Sequence, residues 1–281
     1  MKKVTVKIPA KINLTLDVVG VNGGFHDIES LVTSVDIYDK ITVKKRTDKK
    51  ITLTEKGVLS NCLTENNNAY KSAVLFMQTF RTDGVDIILD KSIPVGAGLG
   101  GSSADIAGTL LAMKKLFGIK KDVKPLADTL GSDSGYMLTG GPAIISGRGD
   151  KVISLKEKIK LYLLIITEDF SVSAKECYKT FDGLGEKLTP TTTDAVNAIH
   201  DGDFNAFTNA LKNDLYLATK IMHPELEENV LALKDVGADV YLMTGSGSAV
   251  YGVFRAKKQR DLAYKTLYLK YQHKLIKAKT R

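Results

Sequence analysis

Apolar and polar residues alternate from residue 4 to residue 19, with Pro9 interrupting the run and Val21-Asn22-Gly23-Gly24 forming a turn after it. Alternation with a period of two marks a half-buried strand, so the segment predicts two strands or a bent hairpin. Residues 32–35 and 40–44 continue the β pattern on either side of Asp39 and Lys40, which read as turn residues, and residues 51–54 add another short strand. The period then changes. Ala69, Ala73, Val74, Phe76 and Met77 share a helical face over residues 68–80, and Glu65-Asn66-Asn67-Asn68 before them supplies capping side chains. Residues 85–89 read as a strand, 94–101 as a loop, and 102–117 as a helix with Ile106, Leu110, Met113 and Leu116 in register. A helix at 123–130 leads into the turn Gly131-Ser132-Asp133-Ser134-Gly135, and glycine pairs bracket a strand at 143–145.

Past a charged stretch at 150–160, Leu161-Tyr162-Leu163-Leu164-Ile165-Ile166 is apolar throughout, as in a strand buried on both faces. Helices at 174–181, 192–199, 203–215 and 224–236, strands at 240–243 and 249–254, and an amphipathic helix at 258–271 complete the pattern. The charged stretch suggests an N-terminal domain over 1–155 and a C-terminal domain over 156–281. A chain of 281 residues is long enough for two lobes, each with a core, around a cleft.

Composition narrows the class. With 43% hydrophobic and 26% charged residues the chain is neither fibrous nor disordered. Its two cysteines lie far apart with no CxxC, which leaves little room for a zinc site or a disulfide framework. The charges behind Met1 are followed by no apolar segment, and no apolar run approaches the roughly 20 residues that span a bilayer. The expectation is a cytoplasmic protein with no membrane partner. The net charge of +8 suits a phosphate-bearing ligand. By itself it does not argue for nucleic acid, since the basic segment 265–281 reads as a packed amphipathic helix with a solvated face.

The sharpest chemical feature is Ile93-Pro94-Val95-Gly96-Ala97-Gly98-Leu99-Gly100-Gly101-Ser102-Ser103, set between a predicted strand and a predicted helix. Glycines allow close approach of backbone to ligand, and N–H groups at a helix start favour an anion, so the segment points to a phosphate site. No lysine follows the last glycine, which excludes a Walker A loop; the GxGxxG match lacks the strand and acidic residue of a dinucleotide fold. Three further segments carry polar residues in unusual places: Pro9-Ala10-Lys11-Ile12-Asn13-Leu14, Asp133 in its serine-glycine turn, and Met243-Thr244-Gly245-Ser246-Gly247-Ser248. Taken singly, Lys11 is a solvated strand residue, Asp133 a turn former, and the last loop either a phosphate contact or a place where two backbones cross.

In order and approximate spacing, these four segments resemble the signatures of the GHMP kinases. Gly24-Phe25-His26-Asp27-Ile28, Asn213-Asp214-Leu215 and Gly237-Ala238-Asp239 extend the likeness along nearly the whole chain. The resemblance implies an α+β, two-lobed GHMP kinase fold, with a ribosomal-protein-S5-like N-terminal domain and a ferredoxin-like C-terminal domain. It implies phosphorylation of a small-molecule hydroxyl with ATP and Mg²⁺. The acceptor it favours is the 2-hydroxyl of a cytidine-diphosphate-linked methylerythritol, in non-mevalonate isoprenoid synthesis. Other alcohols, or nucleotide binding without turnover, are the alternatives. In that pattern Asp133 and Lys11 are catalytic. Asn67, Pro94, Gly96, Gly98, Leu99, Gly100, Gly101, Ser102 and Ser103 hold the nucleotide, with Ser103 facing Mg²⁺. Asn13, Phe25, His26, Tyr178, Thr244, Gly245 and Ser246 hold the acceptor. The expected assembly is a monomer or homodimer with no nucleic-acid partner.

Several residues depart from the pattern. Ser134-Gly135-Tyr136 replaces the usual Val-Pro-Phe after the aspartate, which should free that turn. Ser102 and Ser103 stand one place early relative to Asp105, a rotation of about 100° on a helix. Pro142 and Ala174 stand where threonine is common.

Overall fold

One strand of 21 residues, Phe25–Lys45, runs straight through the turn expected at Asp39 and Lys40. Its inward positions there are Ile37, Asp39, Ile41 and Val43, so the alternation is unbroken and Asp39 takes an apolar residue's place. Asp39 is buried because backbone and side-chain donors of the neighbouring strand satisfy it.

The computed structural model describes residues 2–60, 62–185 and 188–281. Its elements are β1 (Lys3–Asn13), β2 (Asp17–Asn22), β3 (Phe25–Lys45), β4 (Ile51–Gly57), α1 (Asn68–Phe80), β5 (Val85–Lys91), α2 (Gly101–Phe117), α3 (Lys124–Leu130) and α4 (Ser134–Met137). They continue with β6 (Ala143–Gly147), β7 (Lys151–Ser154), β8 (Tyr162–Ile166), α5 (Ala174–Leu184), α6 (Thr192–Asp201), α7 (Phe204–Ala210) and α8 (Tyr216–Met222). The last are α9 (Leu226–Asp235), β9 (Val240–Met243), β10 (Val250–Phe254), α10 (Lys257–Tyr271) and β11 (Leu275–Lys279). Pro9 does not break β1, because β1 pairs with β3 alone and the missing N–H is not needed by a second neighbour. Among the described residues no helix is long and apolar enough to cross a membrane.

Two compact units divide the chain. One comprises Met1–Ala10, Ile37–Val95 and Gly100–Gly140; the other comprises Lys11–Asp36, Gly96–Leu99 and Gly141–Arg281. Where composition suggests one cut near residue 155, the units are interleaved, since β1 and β3 each contribute to both.

In the first unit, β4 pairs in parallel with β5, and β5 pairs antiparallel with residues 40–45 of β3. A parallel pair needs a crossover, and α1 provides it. Helix α1 begins at the predicted residue, with Asn67 Oδ1 accepting the Ala69 N–H at 2.9 Å. Its Phe76 is fully buried, as are Leu110 and Met113 of α2, which packs on α1.

In the second unit, β3 pairs antiparallel with β2 and, over residues 28–32, with β6, which pairs with β7. A second, all-antiparallel sheet has the order β11-β8-β10-β9. Counted within that sheet the order is fourth, first, third, second, which is the ferredoxin-like arrangement. Residues 163–166 of β8 are fully buried.

Two expectations fail in this unit. The helix expected over 203–215 stops at Ala210, because Leu16 claims the next backbone: its N–H donates to Lys212 O and its carbonyl accepts from Asp214 N, both at 2.9 Å. Helix α8 follows, unforeseen, with Leu217 and Ile221 exposed and so no apolar stripe to announce it. The basic segment past residue 271 holds a strand, β11, paired with β8 along its whole length.

Leu275 of β11 is buried, so Leu275→Ala should cost about 2–5 kcal/mol in a denaturant titration. A loss within about 0.5 kcal/mol, as at an ordinary surface position, would mean that the segment behaves as a solvated tail.

Candidate functional site

In the second unit, period-two geometry puts Lys11 and Asn13 on one face of β1, with Ile12 and Leu14 on the other; all four are buried. Lys11 is therefore not the solvated residue its type suggests. Its Nζ donates to Asn13 Oδ1 at 2.6 Å, and its backbone N–H donates to Leu99 O at 3.0 Å, which ties the strand to the glycine loop. Asn13 is held on all sides. Its Nδ2 donates to Ser30 Oγ, its N–H donates to Thr244 Oγ1 at 3.1 Å, and its carbonyl accepts from the Tyr251 hydroxyl.

The same unit brings the two glycine-serine loops together. Gly98 lies at φ +73°, and a Cβ there would stand 2.2 Å from Thr244 O and 3.1 Å from Gly247 O. Ala249 N–H donates to Ala97 O at 3.2 Å across the same crossing. Of the two uses open to the 244–248 loop, the geometry shows the backbone crossing. Asn213 fixes that loop from behind, its Nδ2 donating to Met243 O and Gly245 O, each at 2.8 Å. Gly96, at φ +68°, faces Ser171, whose Cβ would lie 2.4 Å from any Cβ at 96.

His26 and Tyr178 are stacked, with ring centroids 4.5 Å apart and planes 17° from parallel. Helix α5 then returns twice: Phe181 meets the His26 ring edge-on and Asp182 Oδ1 lies 2.7 Å from His26 Nε2. Tyr178, Phe181 and Asp182 are one helical turn apart, so one face of α5 encloses the imidazole. Phe25 is half exposed, with the Arg148 guanidinium 3.6 Å from its ring centroid. The sequence pattern indicates His26, Phe25 and Tyr178; it does not reveal Asp182, Phe181 or Arg148, although the i, i+3, i+4 spacing on α5 carries the signal for two of them.

In the first unit, α2 begins behind Gly100, which takes φ +77°, and no side chain caps its first turn. The N–H groups of Gly101, Ser102 and Ser103 precede the first helical bond, Ala104 N to Gly100 O, and so face an anion-favouring position. Gly101 leaves room for Ile93, whose Cγ2 would be 3.1 Å from a Cβ there. Ser102 is exposed and bonded to Asn68 Nδ2. Ser103 Oγ lies 3.6 Å from the Cβ position of Gly131, on the side of the turn that carries Asp133. Asn67 is buried; beyond capping α1 it donates to Glu55 Oε1 at 2.7 Å, so its amide is turned toward β4.

Asp133 is half-buried at the first position before α4, and its side chain does not cap that helix. The turn after it is not freed by its glycine. Ser134 and Gly135 are buried, and a Cβ at Gly135 would meet Asp128 Oδ1 at 2.5 Å. Asp128 is held there by Lys124, at 2.7 Å. Among the described residues no group of three or more His, Cys, Asp or Glu is placed to hold a metal ion.

The chain matches the family models of the N-terminal domain of GHMP kinases over residues 67–148 and of the GHMP kinase C-terminal domain over 195–272. It is 36% identical over 257 residues to a protein of Macrococcus caseolyticus named 4-diphosphocytidyl-2-C-methyl-D-erythritol kinase, covering 89% of this chain and 90% of that one. A protein of the same name from Clostridium beijerinckii is 33% identical, with 96% and 98% covered. Among solved structures, that of 4-(cytidine 5'-diphospho)-2C-methyl-D-erythritol kinase aligns with a TM-score of 0.84 at 26% identity over 99% of each chain.

Because a Cβ at Gly98 would stand 2.2 Å from Thr244 O, Gly98→Ala should lose far more stability than Gly185→Ala. Both glycines have positive φ, but a Cβ at Gly185 meets nothing within 4 Å, so only the left-handed penalty of about 1–2 kcal/mol applies there. Equal losses for the two variants in urea titrations would show that the loops do not cross closely.

Proposed function

The chain belongs to the GHMP kinases, in the branch of the 4-diphosphocytidyl-2-C-methyl-D-erythritol kinases, and on that footing we propose that it transfers the γ-phosphoryl group of ATP to the 2-hydroxyl of 4-diphosphocytidyl-2-C-methyl-D-erythritol. The observation that carries this reading is the uncapped start of α2 behind Gly100, with its free first-turn donors and two serine hydroxyls. It fits a polyphosphate because oriented N–H groups and the helix dipole favour concentrated negative charge.

In this reading the turn from Pro94 through Gly96, Gly98, Leu99, Gly100 and Gly101 to Ser102 and Ser103 holds the phosphates, and Asn67 lies beside the adenine. With its amide turned toward Glu55, Asn67 would serve through its backbone. The acceptor oxygen attacks the γ-phosphorus as the bond to the ADP oxygen breaks, and the proton of the hydroxyl passes to the Asp133 carboxylate. Lys11 offsets negative charge near the acceptor, held in direction by Asn13. The Ser103 hydroxyl would hold Mg²⁺ brought with the nucleotide, and the ion would supply further charge compensation at the phosphates.

The cytidine end belongs with His26, Phe25 and Tyr178. A base needs flat faces to stack on and a polar edge to be read, and the His26–Tyr178 stack offers both. Asp182 fixes the imidazole by its bond to Nε2. Asn13, Thr244, Gly245 and Ser246 would lie along the rest of the acceptor. The setting is cytoplasmic, with small molecules as partners.

ADP release measured with Mg-ATP and 4-diphosphocytidyl-2-C-methyl-D-erythritol tests the assignment, with mevalonate, homoserine and galactose as competing acceptors. Turnover with the cytidyl alcohol alone is the expected result, and turnover with another acceptor alone would overturn it. Asp133→Asn should lower kcat by about 10²–10⁴-fold while ATP affinity stays within a few fold. His26→Ala should raise KM for the cytidyl acceptor and leave KM for ATP unchanged. Full turnover by the first variant, or an unaltered acceptor KM in the second, would remove that residue from its role.

A further inference from the structure

Three buried charges stand at the root of the glycine turn. Lys91, the last residue of β5, places its Nζ 2.8 Å from Asp39 Oδ2 and 2.6 Å from Asp105 Oδ2, with side-chain exposures of 2%, 0% and 7% for the three residues. Asp39, on β3, uses its other oxygen to accept the N–H groups of Ser92 and Ile93, at 2.7 and 2.9 Å. Those are the two residues immediately before Pro94. Asp105 lies in the opening turns of α2, just past Ser102 and Ser103. The cluster thus grips the chain where it enters the turn and again where it leaves.

Stability does not account for such a cluster. Burying ions costs solvation that their attraction only partly restores, and apolar residues of similar volume often hold a core as well. Here two carboxylates share one ammonium. Burial pushes the Asp105 carboxyl up to about 7 against the pull of Lys91, and its Oδ1 has no hydrogen-bond partner among the described residues. Burial would lower Lys91, but its two carboxylates outweigh that and raise it. What the cluster supplies that apolar packing would not is direction: four fixed bonds that set two peptide N–H groups on one side and a helix turn on the other.

We propose that Lys91 is a positioning residue for nucleotide binding, straining no atom itself against the ligand but joining Asp39 to Asp105 so that the α2 start is set for phosphate before ATP arrives. The missing side chain at Gly101 serves the same end, since a Cβ there would stand 3.1 Å from Ile93 Cγ2 and press the two roots of the turn apart. A loop already in place at binding loses less entropy on capture, so the strap contributes to affinity without touching the nucleotide. The inference rests on the reading that this turn takes the phosphates of ATP.

The test compares Asp105→Ala with Asp105→Asn in the full-length protein. Alanine cuts the link to α2 and leaves Lys91 paired with Asp39, whereas asparagine keeps an acceptor for Lys91. Calorimetric titration with Mg-ATP should give a Kd raised at least about tenfold in Asp105→Ala and within about twofold of wild type in Asp105→Asn. kcat at saturating ATP and KM for the alcohol should be unchanged in both. A folded Asp105→Ala protein that binds Mg-ATP like wild type overturns the strap. Wild-type protein that fails to bind Mg-ATP overturns the underlying reading instead. Should Asp105→Ala fail to fold, amide exchange in the wild type decides: protection of Ser92 and Ile93 without nucleotide supports a preset turn, and protection only after Mg-ATP is added refutes it.

Discussion

The second unit depends on a single close approach, the passage of Gly98 over the carbonyl of Thr244. No side chain fits between them, and from that contact follow the bonds of Thr244 to Asn13, of Asn13 to Lys11, and of the Lys11 backbone to Leu99. Residues from three distant parts of the chain are thereby fixed to within a hydrogen bond of one another. Such a network is costly if incomplete, since each buried polar atom left without a partner carries a desolvation penalty of about 1–3 kcal/mol. Asn13 meets this by bonding from its side chain, its N–H and its carbonyl. The ammonium of Lys11 is then aimed by its surroundings.

A comparable economy of placement appears on α5. One helical face presents Tyr178, Phe181 and Asp182 to the same imidazole, from below, from the edge and at the nitrogen. Fixing His26 with an aromatic plane and a carboxylate settles both the ring's tilt and the direction in which Nε2 points. Either restraint alone leaves a rotation free.

What was legible in the sequence is what short-range physics decides. Asn67 caps α1 where expected because an Asn side chain two residues from an N–H is a local matter, and the glycine turn before α2 announces itself by composition. The misreadings share a different origin. Asp39 resembles a turn residue until Lys91, 52 positions later, arrives to neutralise it. Residues 211–215 have helical character until Leu16 takes their backbone groups. The last strand looks like a basic tail because Lys277 and Lys279 occupy its exposed positions while Leu275 and Ala278 are buried. In each case the decisive partner lies far away in sequence, and no window of neighbouring residues contains it. Candidate site residues divide in the same way: the glycines, serines, Lys11, Asp133, His26 and Asn213 show by pattern, whereas Asp182 and Lys91 acquire meaning only from what the fold sets beside them.

The turn after Asp133 shows how such a partner can reverse an inference drawn from residue type. Glycine in place of proline should loosen a loop, because it widens the accessible backbone angles in the unfolded and folded chain alike. Here the space beside Gly135 is taken by Asp128, whose carboxylate Lys124 holds from the preceding turn of α3, and a Cβ would force that carboxylate out. Tyr136, the next residue, is itself fully buried. The glycine is therefore a packing residue, and the constraint that proline would place on one φ angle is replaced by close contact with a neighbouring helix. Asp133 is consequently carried on a turn whose shape is set by α3 and α4.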